Sequence, residues 1–144
     1  MEIKPVVCNR LQTNHTSFEV DFELTQNIMF LIGESGTGKS AVFSFLQELA
    51  AENKSIRCYN YLDINTGYKS AIKRSKGKLI IIDNADILLD DAMRQYIALD
   101  TQNQYLIFGR NPTGLLLHRG EIFELESQTI GERTRFTIKK AFYP

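Results

Sequence analysis

Residues 17–24 alternate strictly, with Phe18, Val20, Phe22 and Leu24 on one side and Glu19, Asp21 and Glu23 on the other, which predicts a half-buried strand. After Thr25-Gln26-Asn27, residues 28–32 form an unbroken apolar run ended by glycine, as in a strand covered on both faces. The period then changes. Val42, Phe45, Leu46, Leu49 and Ala50 recur at helical spacing and predict a helix over 39–52. Further strands are expected at 55–61, 79–83, 105–108 and 121–125, with helical segments at 66–76 and 91–99 and a short helix or turn at 112–117. Strands separated by helices predict a parallel sheet with helices on its faces. Residues 134–138 alternate again after Gly131, so an antiparallel hairpin is expected to close the chain at the sheet edge.

Composition narrows the possibilities without naming a function. The 144 residues are 43% hydrophobic and show no repeat or Pro/Gly-rich linker, which predicts one domain over 1–144 that needs no disulfide or metal staple. Seventeen Lys and Arg balance seventeen Asp and Glu, so the global basic footprint of a nucleic-acid binder is missing. Local basic groups, Lys69, Lys73, Arg74, Lys76 and Lys78 and then Arg133, Arg135 and Lys139, read as solvated faces, and nucleic acid is not the expected partner. No apolar run approaches the roughly 18 residues of a membrane span. Residues 1–10, with Glu2, Pro5 and Asn9, do not read as a signal peptide, and a cytoplasmic location is expected. Cys8 and Cys58 suit buried free thiols in a reducing compartment, and His15 and His118 are isolated residues with a surface role.

The chemistry is concentrated in two short segments. Gly33-Glu34-Ser35-Gly36-Thr37-Gly38-Lys39-Ser40 satisfies G-x-x-x-x-G-K-[ST] between a buried strand and an amphipathic helix. Glycines let the backbone curl so that successive N–H groups point at a phosphate, and the start of the helix reinforces the anion site. Lys39 supplies an ammonium to the β- and γ-phosphates, and the Ser40 hydroxyl can ligate Mg²⁺. The candidate nucleotide-binding residues are Gly33, Glu34, Ser35, Gly36, Thr37, Gly38, Lys39, Ser40 and Ala41. Residues 36–41 also satisfy the dinucleotide fingerprint G-x-G-x-x-[GA], with Asp63 further on. That reading is set aside because four residues separate Gly36 from the strand and Gly33, Lys39 and Ser40 would have no role. The second segment, Leu79-Ile80-Ile81-Ile82-Asp83, puts an acid at the end of an apolar strand, where a Mg²⁺ ion would compensate its desolvation.

With these two motifs the chain resembles the P-loop NTPases, in the division with an additional strand between the phosphate-loop strand and the acidic strand, which includes the AAA+ ATPases and the signal-transduction ATPases. The resemblance covers about residues 28–125. It implies a three-layer α/β fold, a mainly parallel sheet flanked by helices, with antiparallel hairpins added at both ends of the chain. It also implies ATP and Mg²⁺ as cofactors, with Ser40 and Asp83 as the metal residues and Lys39, Asp83, Asn84, Asp86 and Arg110 as catalytic candidates. Arg110 is similar to the sensor arginine of the signal-transduction relatives, with Asn111 as the weaker candidate.

Departures from the family pattern shape the expected activity. Asn84 stands where the family has a glutamate, and an amide orients a water without taking its proton. Asp86 or Glu34 would have to substitute. No Asn-Lys-x-Asp segment is present, which favours ATP over GTP, and the Ser-Gly-Gly signature of ABC transporter heads is missing although a hairpin over 17–32 is expected as in that family. After residue 125 the chain reads as a hairpin bearing Arg133, Arg135, Lys139 and Lys140, so the helical lid or arginine finger of the relatives would come from a protein partner or oligomer. The expected function is Mg-dependent ATP binding with slow β–γ hydrolysis. The alternative is a nucleotide-gated binding module that acts through a partner and hydrolyses little.

Overall fold

A computed structural model describes residues 4–33 and 38–142. Eight strands, β1 (Arg10–Asn14), β2 (Phe18–Glu23), β3 (Ile28–Ile32), β4 (Ile56–Tyr59), β5 (Leu79–Ile82), β6 (Gln104–Gly109), β7 (Ile122–Ile130) and β8 (Arg133–Lys140), form one sheet. Their order is β1-β2-β8-β7-β3-β6-β5-β4. The α-helices are α1 (Lys39–Glu52), α2 (Tyr68–Arg74), α3 (Ala85–Leu88) and α4 (Asp91–Leu99). Pairing is mixed: β1–β2 and β7–β8 are antiparallel, and the other neighbours run parallel. No helix of the described residues is long and apolar enough to cross a membrane.

Strand periodicity divides the core between the two faces of the sheet. On one face Met29, Leu31, Leu79, Ile81, Leu106 and Phe108 meet Val42, Phe43 and Leu46 of α1, together with Val20, Phe22, Phe123 and Phe136. On the other face Ile28, Phe30, Ile80, Ile82, Tyr105 and Ile107 meet α2, α3 and α4 through Ile72, Leu88, Met93 and Ile97. All four residues of β5 and the first four of β3 are buried, which explains their unbroken apolar sequence.

This architecture corrects the expected three-layer P-loop NTPase fold, a mainly parallel helix-flanked sheet with hairpins added at both ends. Strands hold more of the chain than helices, the sheet is mixed, and the hairpins are half of its strands. β8 lies inside the sheet between β7 and β2, not at an edge. The second core cluster draws no residue from β1, β2, β7 or β8, so its helices cover only the other half of the sheet. The physical reason is the strict alternation in β2 and β8. Glu19, Asp21, Arg135 and Lys139 fall on the face opposite Val20, Phe22 and Phe136, and charged residues in two neighbouring strands cannot take an apolar helix layer.

Smaller differences have local causes. The expected hairpin over 17–32 does not form, because β2 pairs with β1 and β8 and not with β3. Strand β1 contains one apolar residue, Leu11, and gives no periodic signal. Between 112 and 117 the backbone turns at Gly114 and Leu116, both at positive φ, around the buried Leu115, and no helix forms.

Candidate functional site

Strands β3, β6, β5 and β4 run in one direction, so their carboxyl ends share one edge of the sheet. Ile32 stands opposite Gly109, and Ile82 opposite Ile107. Gly33, Asp83 and Arg110, each the first residue past its strand, therefore emerge together. The strand β6 lies between β3 and β5, which sets the loop-bearing strand about 10 Å from the aspartate strand at ordinary sheet spacing.

Gly38 is the N-cap of α1 and sits at φ +92°, a conformation that favours glycine. A Cβ there would come within 3.0 Å of Phe136 Cε1, so the inner strand β8 packs directly against the start of α1. The first turn of α1 has no side-chain cap and no acidic residue, leaving its N-terminal N–H groups and positive dipole end for an anion. Ser40 and Ala41 are exposed in this turn. Glu34, Ser35, Gly36 and Thr37, predicted to cradle phosphate, lie outside the described residues.

Lys39 is part-buried and donates from Nζ to the Gly33 carbonyl, which ties the two ends of the loop together. Burial pushes its pKa down, while the nearby Asp83 and Asp86 carboxylates favour its charge and Arg110 opposes it. Asp83 is 9% exposed, and burial raises its pKa against the favourable influences of the Asn84 N–H and Lys39. Its Oδ1 accepts from the Asn84 N–H at 2.8 Å. Lys39 at the start of α1 thus feels both the acid past β5 and the cation past β6 at the carboxyl edge.

Asn84 occupies a left-handed conformation at φ 54°, between β5 and α3. Asp86 has a different geometry from a free water-positioning carboxylate. Its Oδ2 accepts from the Arg110 N–H at 2.8 Å and its Oδ1 from the Asn111 N–H at 3.0 Å. Sequence reasoning missed Arg94, which is 7% exposed and sends Nη1 to the Asn111 and Thr113 carbonyls at 2.6 and 2.8 Å. The available signal was an arginine at the centre of α4 beside the apolar positions Met93 and Ile97.

Several of the basic residues and both histidines are engaged within the chain. Arg135 reaches Asp21 at 2.7 Å and Glu19 at 3.5 Å, Lys69 pairs with Asp90, and Lys73 lies over the Tyr96 ring. His15 stacks on Phe45, and His118 Nδ1 accepts from the Gly120 N–H. Cys8 and Cys58 are free, and burial pushes the Cys58 thiol up to about 12. Asp63 closes a capping box on a 3-10 turn, the Asn60 N–H donating to its Oδ2 at 2.9 Å. Among the described residues no group of three or more His, Cys, Asp and Glu is arranged to hold a metal. Neither a scan against protein-family models nor a search of curated proteins finds a match to this chain.

Proposed function

We propose that the chain binds Mg-ATP at the loop over residues 33–40 and hydrolyses its β–γ phosphate bond slowly. The observation that carries this reading is the convergence of part-buried Lys39 and desolvated Asp83 at the uncapped start of α1. The ammonium and the helix N–H groups suit the triphosphate, and their fixed positions stabilise charge without reorganising during the reaction. ATP remains the first choice of nucleotide and GTP the second.

The residues present fit a magnesium ion. Asp83 and Ser40 are hard oxygen donors, and Asp83 Oδ2 accepts no hydrogen bond from the described residues while Oδ1 is held by Asn84. Mg²⁺ bound by one carboxylate, a hydroxyl and phosphate oxygens would neutralise phosphate charge. Arg110 adds a cation on the same edge, where it would favour the terminal phosphate.

One observation favours a second reading, a nucleotide-gated module that depends on a partner for turnover. Asn84 offers no carboxylate, and both oxygens of Asp86 accept from backbone N–H groups, so the described residues near Asp83 lack a free general base. A protein partner or second copy would supply it, with the lid or arginine finger. Titration calorimetry with Mg-ATP, paired with phosphate release, tests both readings. Lys39→Ala is expected to weaken ATP binding at least about tenfold, or ~1.4 kcal/mol. Unchanged affinity refutes the phosphate site. Binding without turnover selects the gated module, and faster release in Asn84→Glu identifies the missing base.

A further inference from the structure

We infer that Asp86 and Arg94 are positioning residues that hold Arg110 toward the terminal phosphate, an inference that rests on the ATP reading above. The loop after β6 is gripped through both polarities of its backbone. Asp86 accepts the N–H groups of Arg110 and Asn111, at 2.8 and 3.0 Å, and Arg94 Nη1 donates to the carbonyls of Asn111 and Thr113, at 2.6 and 2.8 Å. The two gripping side chains also meet each other, Arg94 Nη2 lying 3.5 Å from Asp86 Oδ1. They come from different helices, α3 and α4, so the grip joins the loop to both.

Packing fixes the device. Gly109 has no room for a side chain, since a Cβ there would meet Phe30 Cζ at 2.9 Å and Ala85 Cβ at 3.2 Å, with Asp86 Oδ2 at 3.5 Å. Gly114, at φ +86°, lays the loop across the Arg94 stem, where a Cβ would be 3.4 Å from Arg94 Cβ. Arg94 is buried and its charge is satisfied by the loop and by Asp86, whereas Arg110 is exposed and contributes to the electrostatics at Lys39. A guanidinium on an unanchored loop would have to be ordered when phosphate binds. The grip fixes beforehand the backbone from which that guanidinium extends.

Lysine at position 94 keeps the charge and loses the planar fork, whose Nη1 reaches both carbonyls while Nη2 faces Asp86. The test compares the wild type, Arg94→Lys, Asp86→Asn, Arg110→Ala and the Arg94→Lys/Arg110→Ala double variant. Two quantities are read: the ratio of Mg-ATP to Mg-ADP affinity, and amide hydrogen exchange at Arg110 and Asn111 without nucleotide. Arg110→Ala is expected to lower the ratio about tenfold, Arg94→Lys and Asp86→Asn to lower it by about the same factor, and the double variant to fall no further. Exchange at both amides should accelerate at least about tenfold in the two grip variants and stay within about twofold in Arg110→Ala.

An unchanged ratio in Arg94→Lys alongside a reduced one in Arg110→Ala overturns the positioning role. An unchanged ratio in Arg110→Ala overturns the assignment of Arg110 itself. Unchanged amide exchange in both grip variants overturns the anchoring, whatever the affinities do. Failure of the ATP reading has its own signature, a Lys39→Ala variant that binds Mg-ATP as the wild type does.

Discussion

Replacing Asp21 with asparagine isolates the charge that joins the two terminal hairpins. Asp21 Oδ1 accepts from Arg10 Nε at 2.9 Å, and Oδ2 accepts from Arg10 Nη2 at 2.8 Å and Arg135 Nη2 at 2.7 Å, so one carboxylate links β1, β2 and β8. The Arg10 hydrogen bonds are the main cause of a pKa held down at about 2, with Arg135 adding to them against the cost of burial. Relative to an ordinary aspartate near 3.9, the difference corresponds to about 2.5 kcal/mol at neutral pH. Both guanidinium side chains are about half exposed, at 54% and 49%, and solvent screening reduces the expected contribution to about 1–2 kcal/mol. The sign follows from linkage. A carboxyl with a depressed folded pKa stabilises fully above its unfolded pKa and loses that contribution as pH falls through the folded value. Urea unfolding followed by circular dichroism should place Asp21→Asn about 1–2 kcal/mol below the wild type at pH 7, with the gap roughly halved at pH 3 and smaller in 1 M salt. Equal stability at pH 7, or a gap that persists undiminished at pH 3, would refute the charge bridge.

Three further substitutions probe packing, two at the candidate site and one at the opposite end of β6. Gly38→Ala places a Cβ at positive φ and 3.0 Å from Phe136, and should cost about 1–3 kcal/mol in chemical denaturation while weakening Mg-ATP binding in calorimetry. Gly109→Ala collides with Phe30 and crowds Ala85 and Asp86, and should cost about 1–3 kcal/mol and accelerate amide exchange at Arg110. Tyr105→Phe removes the donor that reaches Asp100 Oδ2 at 2.6 Å in a buried setting, and a thermal melt should show a loss of about 1–2 kcal/mol.

Legibility in the sequence followed the strength of local signals. The apolar runs of β3 and β5 appear where residue type predicts, because burial on both faces leaves no room for polar residues, and the helical spacing of α1 does so because one face is buried. Motif chemistry predicts that Lys39 and Asp83 share a site, and in the structure each influences the charge of the other. The placement of β8 was not: Thr134, Phe136 and Ile138 announce a strand, but nothing in 133–140 says that its partners are β7 on one side and β2 on the other. The pairing with β2 spans more than a hundred residues of sequence, and its determinants are a cross-strand set of charges, Glu19 and Asp21 with Arg135, together with the shared apolar face of Val20 and Phe136. Arg94 was missed for a related reason. Its hydrogen-bond acceptors are backbone carbonyls in a loop, which leave no trace in residue type, and Asp86 lies on a different helix.

The inner position of β8 gives the terminal hairpins a part in the candidate site. Phe136 faces the apolar core and lies where a Gly38 side chain would be, while its neighbour Arg135 points to the opposite face and binds Asp21. One strand therefore carries a contact with the start of α1 on one face and the charge bridge to β2 on the other. Strand alternation makes these two contacts inseparable, because a one-residue slip of β8 against β2 would turn Phe136 to the polar face and Arg135 into the core. The Arg135–Asp21 bridge selects the register that packs Phe136 beneath Gly38. A net charge of zero conceals this specificity. Charges on one half of the sheet hold its strands in register, and charges at the carboxyl edge of the other half act on Lys39 at the start of α1.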